Sequence, residues 1–306
     1  MNIGGILLAM QGAVAQGILW GIFVLGVFIT YKIMDIADLT VDGSFALGGC
    51  VCATMIVGMG ANPVLALLVA TLAGVVAGFV TGFLHTAFDI PAILAGILTQ
   101  ISLWSINLRI MGKSNIPLLK NPTIFSGIVS ATGMQSSLVA AILGIIIAII
   151  VVIGLYLFFG TEIGSALRAT GNNEDMIRAL GVNTKFTKVL ALMISNGLVG
   201  LSGALVCQSQ KYADIGMGTG AIVIGLASIV IGEVLLGKLR SFHSKLISAL
   251  VGSVIYFIIR AVVLQLGMDA NDMKLLSAII VAVALAVPVA MEKYRLKKSY
   301  TEGGDK

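Results

Sequence analysis

About nine runs of roughly 20 mostly apolar residues constrain this 306-residue chain more than any other feature. They fall near residues 12–31, 43–60, 63–88, 90–112, 134–160, 186–207, 215–237, 245–267 and 273–291. A run of that length crosses a ~30 Å hydrocarbon core as a helix, the form that satisfies every backbone amide within its own segment. Composition agrees, because 58% of residues are apolar, 11% are charged and the mean hydropathy is +1.06. A water-soluble core needs far less apolar surface than this. The expected fold class is an all-α integral membrane protein, a polytopic helical bundle of about nine spans, with eight to ten as the range. The residues before the first run carry no basic region and no small-residue cleavage pattern, so that span is expected to stay in the protein.

Orientation follows from the basic residues, which short loops hold on the cytoplasmic side during insertion. Alternating spans gather Lys32, Arg168, Arg178, Lys185, Lys188, Lys238, Arg240, Lys245 and the tail cations Lys293, Arg295, Lys297, Lys298 and Lys306 on one face. That is about thirteen, against about four on the other face (Lys113, Lys120, Lys211 and Lys274), so the C-terminus and the 162–188 loop are expected in the cytoplasm. An odd span count then puts the N-terminus outside. These loops also account for the net charge of +5, which leaves no ground for a nucleic-acid partner. Cys50, Cys52 and Cys207 lie within spans at no metal-ligand or disulfide spacing and read as small packing residues.

Two segments resemble each other at a constant offset of 176 residues: Ala37-Asp38-Leu39 with Gly49, and Ala213-Asp214-Ile215 with Gly225. Each is a short polar stretch leading into an apolar run, as where a helix starts or breaks inside a bilayer. The loop charges put the two copies on opposite faces. This is the expectation of an inverted-topology repeat, with a first half over about 12–112 and a second over about 186–291, a common way to build a path that opens alternately to either side.

The longest polar island between spans is EIGSALRATGNNEDMIRALGVNTKFTK, residues 162–188. Gly171 can end one helix, Asn172 or Asn173 can cap the next, and Glu174 and Asp175 fall in its first turn, where negative charge suits the helix dipole. Ile177 and Leu180 then share a face near Met176, and Gly181 can end the helix. A helix of two or three turns is marginal alone in water. Docking in a groove of another protein would stabilise it, and so would lying on lipid headgroups beside Arg168 and Arg178; the residues allow both.

The stretch ALRATGNNEDMIRALGVN, placed between two apolar runs, resembles the cytoplasmic coupling loop of permease subunits in the branched-chain amino acid and ribose class of ABC importers. DLTVDGSFALGG and ADIGMGTGAIVIGLASIVIGE are similar to that family too, and closer to its single-permease branch for aromatic and uncharacterised amino acids. The resemblance covers about Asp35 to Glu233. It implies one transmembrane permease domain over residues 1–306 in a bacterial cytoplasmic membrane, two copies (a homodimer) around a pathway, an ATP-hydrolysing subunit as partner and an extracytoplasmic substrate-binding protein. It also implies that Arg168, Gly171, Glu174, Asp175, Ile177, Arg178, Leu180 and Gly181 form the element that docks on the ATPase. The chain has no GxxxxGK[ST] loop, so ATP is expected on the partner and no cofactor or metal on this chain.

Polar groups within the spans are the candidates for the pathway, since a charge there costs about 2.5 to 3.5 kcal/mol on insertion scales. Arg260 can pair with Asp214 or Asp269 or hold a substrate carboxylate, and Glu233 can reach Lys238 or cap a helix. Gln100, Trp104 and Asn107 recur at i, i+4 and i+7 on one helical face, which suits the pathway or interhelical hydrogen bonds, as does Asn196. Gly74, Gly78 and Gly82 form a packing stripe, and Gly17 and Gly21 a shorter one. His85 and His243 have no partners at catalytic spacing, and no catalytic constellation can be assembled. The functions left are an importer subunit or, alternatively, an ion-coupled secondary transporter using Asp38, Asp42 or Asp214.

Overall fold

The computed structural model describes residues 3–236, 241–267, 272, 275–283 and 286. Seven of its helices are long and apolar enough to cross a membrane. They are α1 (Ile3–Phe28, continued by a π-helical turn Ile29–Ile33), α2 (Thr40–Gly58), α3 (Pro63–Ala87), α4 (Ala92–Met111), α6 (Ser136–Gly160), α9 (Thr184–Gln210) and α11 (Phe242–Gln265). An eighth apolar helix, α10 (Ala221–Leu236), is shorter. Residues 275–283 are helical, and the rest of the expected ninth span lies outside the described residues.

Each boundary has a local cause. Asn62 accepts the Val64 N–H at 2.9 Å and Pro63 opens α3, where its missing N–H costs nothing. Gly112, at φ +67°, ends α4 in the left-handed conformation. The expected span 215–237 instead begins at Ala221, because Tyr212–Asp214 is drawn into a short strand β2 that pairs antiparallel with β1 (Asn115–Pro117). This two-stranded ribbon is a small addition to the expected all-α bundle. A further helix, α5 (Ile124–Thr132), was absent from the expected elements; a reciprocal box between Thr123 and Ser126 caps it.

α9 is the centre of the bundle and packs on α1, α2 and α3. Its seam with α3 is lined by the predicted glycine stripe: a side chain at Gly74 would overlap the Asn196 carbonyl, and one at Gly78 the Leu192 carbonyl. Serine hydroxyls then tie the same layer to main-chain oxygens. Ser195 donates to Gly26 O, Ser202 to Leu19 O and Ser253 to Gly17 O, each at 2.8 Å. These are the small-residue and hydroxyl contacts that hold helices together where solvent supplies no hydrophobic drive. The packing is also paired: α1 lies on α11 as α9 lies on α3, and α2 lies on α3 as α10 lies on α11.

Tracing the spans from α1 puts the π-turn, the α2 start, and the 162–183 hairpin at one end of the bundle. The ribbon β1–β2 lies at the other. Lys32 and Glu233 form an ion pair at 2.9 Å on the first of these faces, so Glu233 pairs with the end of α1; Lys238, its expected partner, lies outside the described residues.

Candidate functional site

The polar island folds as a hairpin of two short helices, α7 (Glu162–Asn172) and α8 (Glu174–Ala179), each started by a side chain that accepts an otherwise orphan amide. Thr161 Oγ1 accepts from Gly164, and Asn173 Oδ1 from Met176 at 3.0 Å; Asn183 Oδ1 then starts α9 by accepting from Phe186. Gly171 does not end a helix. It lies within α7, where a side chain would overlap the Ile33 carbonyl, so its role is close approach to the π-turn of α1. Gly181, at φ +85°, takes the left-handed position after α8.

Glu174 organises the hairpin. Its carboxylate accepts from Lys188 Nζ at 2.6 Å and from Arg178 Nη2 at 2.8 Å, joining α8 to the base of α9. The hydrogen bond from Lys188 is the main reason its carboxyl titrates below the ordinary 4.5. Asp175, 96% exposed, stands 3.9 Å from Arg178, and such open pairs set orientation more than stability. Ile177 turns inward, whereas Met176 and Leu180 face outward, Leu180 at 72% exposure. The expected shared face of Ile177 and Leu180 is therefore split, because α8 is only six residues long and Leu180 already lies past its end. Arg168 lies over the ring of Phe242 at 5.2 Å, which anchors α7 beside α11.

Of the candidate residues within the spans, Asp42 joins α2 to α10. It sits in the first turn of α2, and its carboxylate accepts the N–H groups of Gly220 and Ile222, both at 2.8 Å. One helix thus caps another: the amides at the start of α10 find their acceptor on α2. Gln100, Trp104 and Asn107 of α4 converge on the same place and line, with Asp42 and Thr219, a crevice of about 20 Å³. Neither side-chain polar atom of the buried Asn107 has a partner there. Trp104 is half exposed.

Asp38 and Asn196 are not at that crevice. Asn196 Nδ2 donates to Asp38 at 2.7 Å and Asp38 also accepts the Thr40 N–H, so both are locked in the buried contact of α2 with α9. Beside them Thr40, Thr81 and Thr99 join α2, α3 and α4 by hydroxyl contacts of 2.7 and 2.9 Å. Asp214 lies in the ribbon, where its carboxylate accepts the Gly216 N–H at 2.7 Å and faces Asn115. Arg260 forms no ion pair with it, and Asp269, the other expected partner, lies outside the described residues. That guanidinium stands 5.8 Å from the Phe257 ring and lines a separate cavity of about 680 Å³ with Gln16, Trp20, Phe45 and Gln210.

Residues 9–286 match the family described as the branched-chain amino acid transport system permease component. The chain belongs to that permease family. It is 42% identical over 271 residues to the tyrosine transport system permease protein of Clostridioides difficile (strain R20291), covering 89% of this chain and 88% of that protein. An uncharacterized protein of Rickettsia prowazekii (strain Madrid E) is 35% identical over 278 residues, 90% of this chain and 95% of the other. More distant is the ribose import permease protein RbsC of Escherichia coli (strain K12), 24% identical over 254 residues, 82% and 76% of the two chains. No solved structure gives a significant match.

The sequence reading of this permease missed the larger cavity almost entirely. Of its lining only Arg260 was singled out, because Gln16, Trp20, Phe45 and Gln210 come from three different helices and share no spacing. A signal was present in α1, where Gly12, Gln16 and Trp20 recur every four residues on one face.

Proposed function

We propose that this permease forms the translocation pathway of an ATP-driven ABC importer in a bacterial cytoplasmic membrane. In this reading two copies surround the path, ATP is bound and hydrolysed on separate subunits, and an extracytoplasmic binding protein delivers the solute. The solute class is an amino acid, aromatic in character, a reading supported by the name of the 42% identical relative.

The observation that carries the mechanism is the hairpin of α7 and α8. Two short capped helices hang from the bundle with Met176 and Leu180 turned outward, as a segment does that inserts into a cleft of a neighbour. Their inner attachments are direct contacts and lead to two different spans: Gly171 against the end of α1, and Glu174 on Lys188 at the base of α9. A displacement of the hairpin is therefore passed to both. The paired packing of α1 on α11 and α9 on α3, together with the offset of 176 residues between Asp38 and Asp214, supports an inverted repeat that rocks between outward and inward access. The excess of basic residues in the loops on the hairpin's side supports a cytoplasmic hairpin and C-terminus.

Ion coupling is the lesser reading. Asp38 and Asp42 are each engaged by two N–H donors, which suits structural contacts better than groups that release and rebind an ion.

The test is the double substitution Glu174→Lys with Arg178→Glu in the complete importer reconstituted in liposomes. The expected result is ATP hydrolysis without uptake, in a permease that inserts normally. Normal uptake would remove the hairpin from the mechanism, and uptake that survives ATP depletion but collapses with an ionophore would select the ion-coupled reading.

A further inference from the structure

The cavity of about 680 Å³ is built from α1, the first half of α2, the end of α9, the 216–220 segment, α10, α11 and residues 277–278. Its lining runs from Tyr212 and Gln265, at the end of the bundle that carries the β1–β2 ribbon, inward to Trp20 and Phe45. Its floor is aromatic. Trp20 stands 4.5 Å from Phe45 and 5.6 Å from Phe257, ring centre to ring centre, so three rings close the inner end of the space. The walls are mainly apolar but carry Gln16, Gln210 and Arg260. Gln210 Nε2 reaches Gln16 Oε1 at only 3.4 Å, a long contact that leaves most of the hydrogen-bonding capacity of both amides open.

Arg260 supplies the decisive chemistry. A guanidinium carries five N–H donors in a planar fork suited to a carboxylate. Here it makes no ion pair among the described residues, and its recorded contact is the Phe257 ring at 5.8 Å. A cation inside a membrane bundle without an acid calls for an anion from elsewhere. The volume lies in the range of cavities that enclose a small molecule, about 300 to 1,000 Å³.

We propose that this cavity is a binding site for a small carboxylate bearing a flat apolar ring. Arg260 takes the carboxylate, Gln16 and Gln210 take the remaining polar groups, and the ring lies against Trp20, Phe45 and Phe257. An acyl chain fits worse, because it would leave the amides and the guanidinium without partners. The proposal deepens the importer reading and takes from it only the direction of entry: a solute handed over at the ribbon end would meet Arg260 before the aromatic floor.

Binding tests it directly. The permease–ATPase complex in lipid nanodiscs is titrated with 3-phenylpropionate, L-phenylalanine, L-leucine and phenethylamine, and tryptophan emission is followed. The chain has two tryptophans, so Trp20→Phe identifies the signal from the cavity. The two ring-bearing carboxylates are expected to bind, with L-leucine and the carboxylate-free amine each weaker by about tenfold or more. Arg260→Gln is expected to weaken both carboxylates by about tenfold while leaving the amine unchanged, which also shows that the variant is folded, and Arg260→Lys to restore part of the loss. Equal binding of amine and carboxylate, no effect of Arg260→Gln, or a co-purified lipid that no probe displaces would overturn the proposal. ATP-driven uptake is measured on the same variants. Uptake by Arg260→Gln equal to the parent protein sinks this site alone, whereas ATP-independent uptake by the parent protein sinks the importer reading.

Discussion

The seam between α3 and α9 and the hairpin of α7 and α8 are both joined to α9, yet they are held by opposite means. At the seam, backbones approach so closely that Gly74 and Gly78 have no room for a side chain, and the contact is dense and dry. At the hairpin, six residues of α8 are held by caps, one inward isoleucine and a pair of ion pairs around Glu174. The seam resists deformation because any shift meets repulsion at once, while the hairpin resists only through a few polar contacts. A stiff beam and an adjustable attachment are what a device needs if force entering at one end is to arrive at the other undiminished.

The largest effect that separates the two regions should come from filling the seam. Gly78→Leu places a side chain on the Leu192 carbonyl and is expected to abolish monodisperse permease in detergent extracts; Gly154→Leu on α6, where nothing lies within 4 Å, should leave the yield unchanged. If Gly78→Leu is tolerated, the seam is softer than its contacts require.

Next in size is the cap that α2 provides for α10. Asp42→Ala strands the amides of Gly220 and Ile222, at about 1–3 kcal/mol for each unsatisfied group, and should lower the thermal unfolding midpoint clearly, with Asp42→Asn in between. A midpoint equal to that of the parent protein would mean that those amides find another acceptor.

At the hairpin the fold and the function should part. Leu180→Asp alters an exposed residue and is expected to move stability by no more than about 0.5 kcal/mol. Retention of the ATPase through co-purification should nevertheless fall. Unchanged retention would show that the outward apolar residues do not meet the partner.

The smallest effect is a pH dependence confined to the hairpin. The carboxyl of Glu174 is lowered from 4.5 when folded, so its contribution is present above that value and is lost as pH falls through the lower, folded one. Limited proteolysis within 173–183 should be unchanged from neutral pH down to about 5 and accelerate below about 4.5. Acceleration already near neutral pH would assign the attachment to a different group.

Spans were legible because length and hydropathy alone determine them. The limits of α3 and α6 deviate from expectation by no more than two residues, and the glycine stripe of α3 marked the seam before its partner was known. The start of α10 was missed because Tyr212–Asp214 pairs with a strand about a hundred residues earlier, a long-range contact without local signal. For the polar residues the sequence identified which were unusual but not which met. Gln100, Trp104 and Asn107 were grouped by helical spacing and do share a crevice, but the Asp42 that joins them belongs to another helix, and Asp38 pairs with Asn196 across 158 positions. Gly171 was misread because glycine serves equally as a terminator and as a point of close approach, and only the neighbouring Ile33 decides between them.

The reach of Asp42 across to Gly220 and Ile222 leaves α2 and α10, which belong to opposite halves of the proposed repeat, little independence. Were α10 to tilt alone, its leading amides would be stripped of their acceptor in a place that water does not serve, so the cheaper motion carries α2 along. Synchrony between the halves of the permease would then come from a single shared side chain, and a graded, half-open protomer would be the least populated of its shapes.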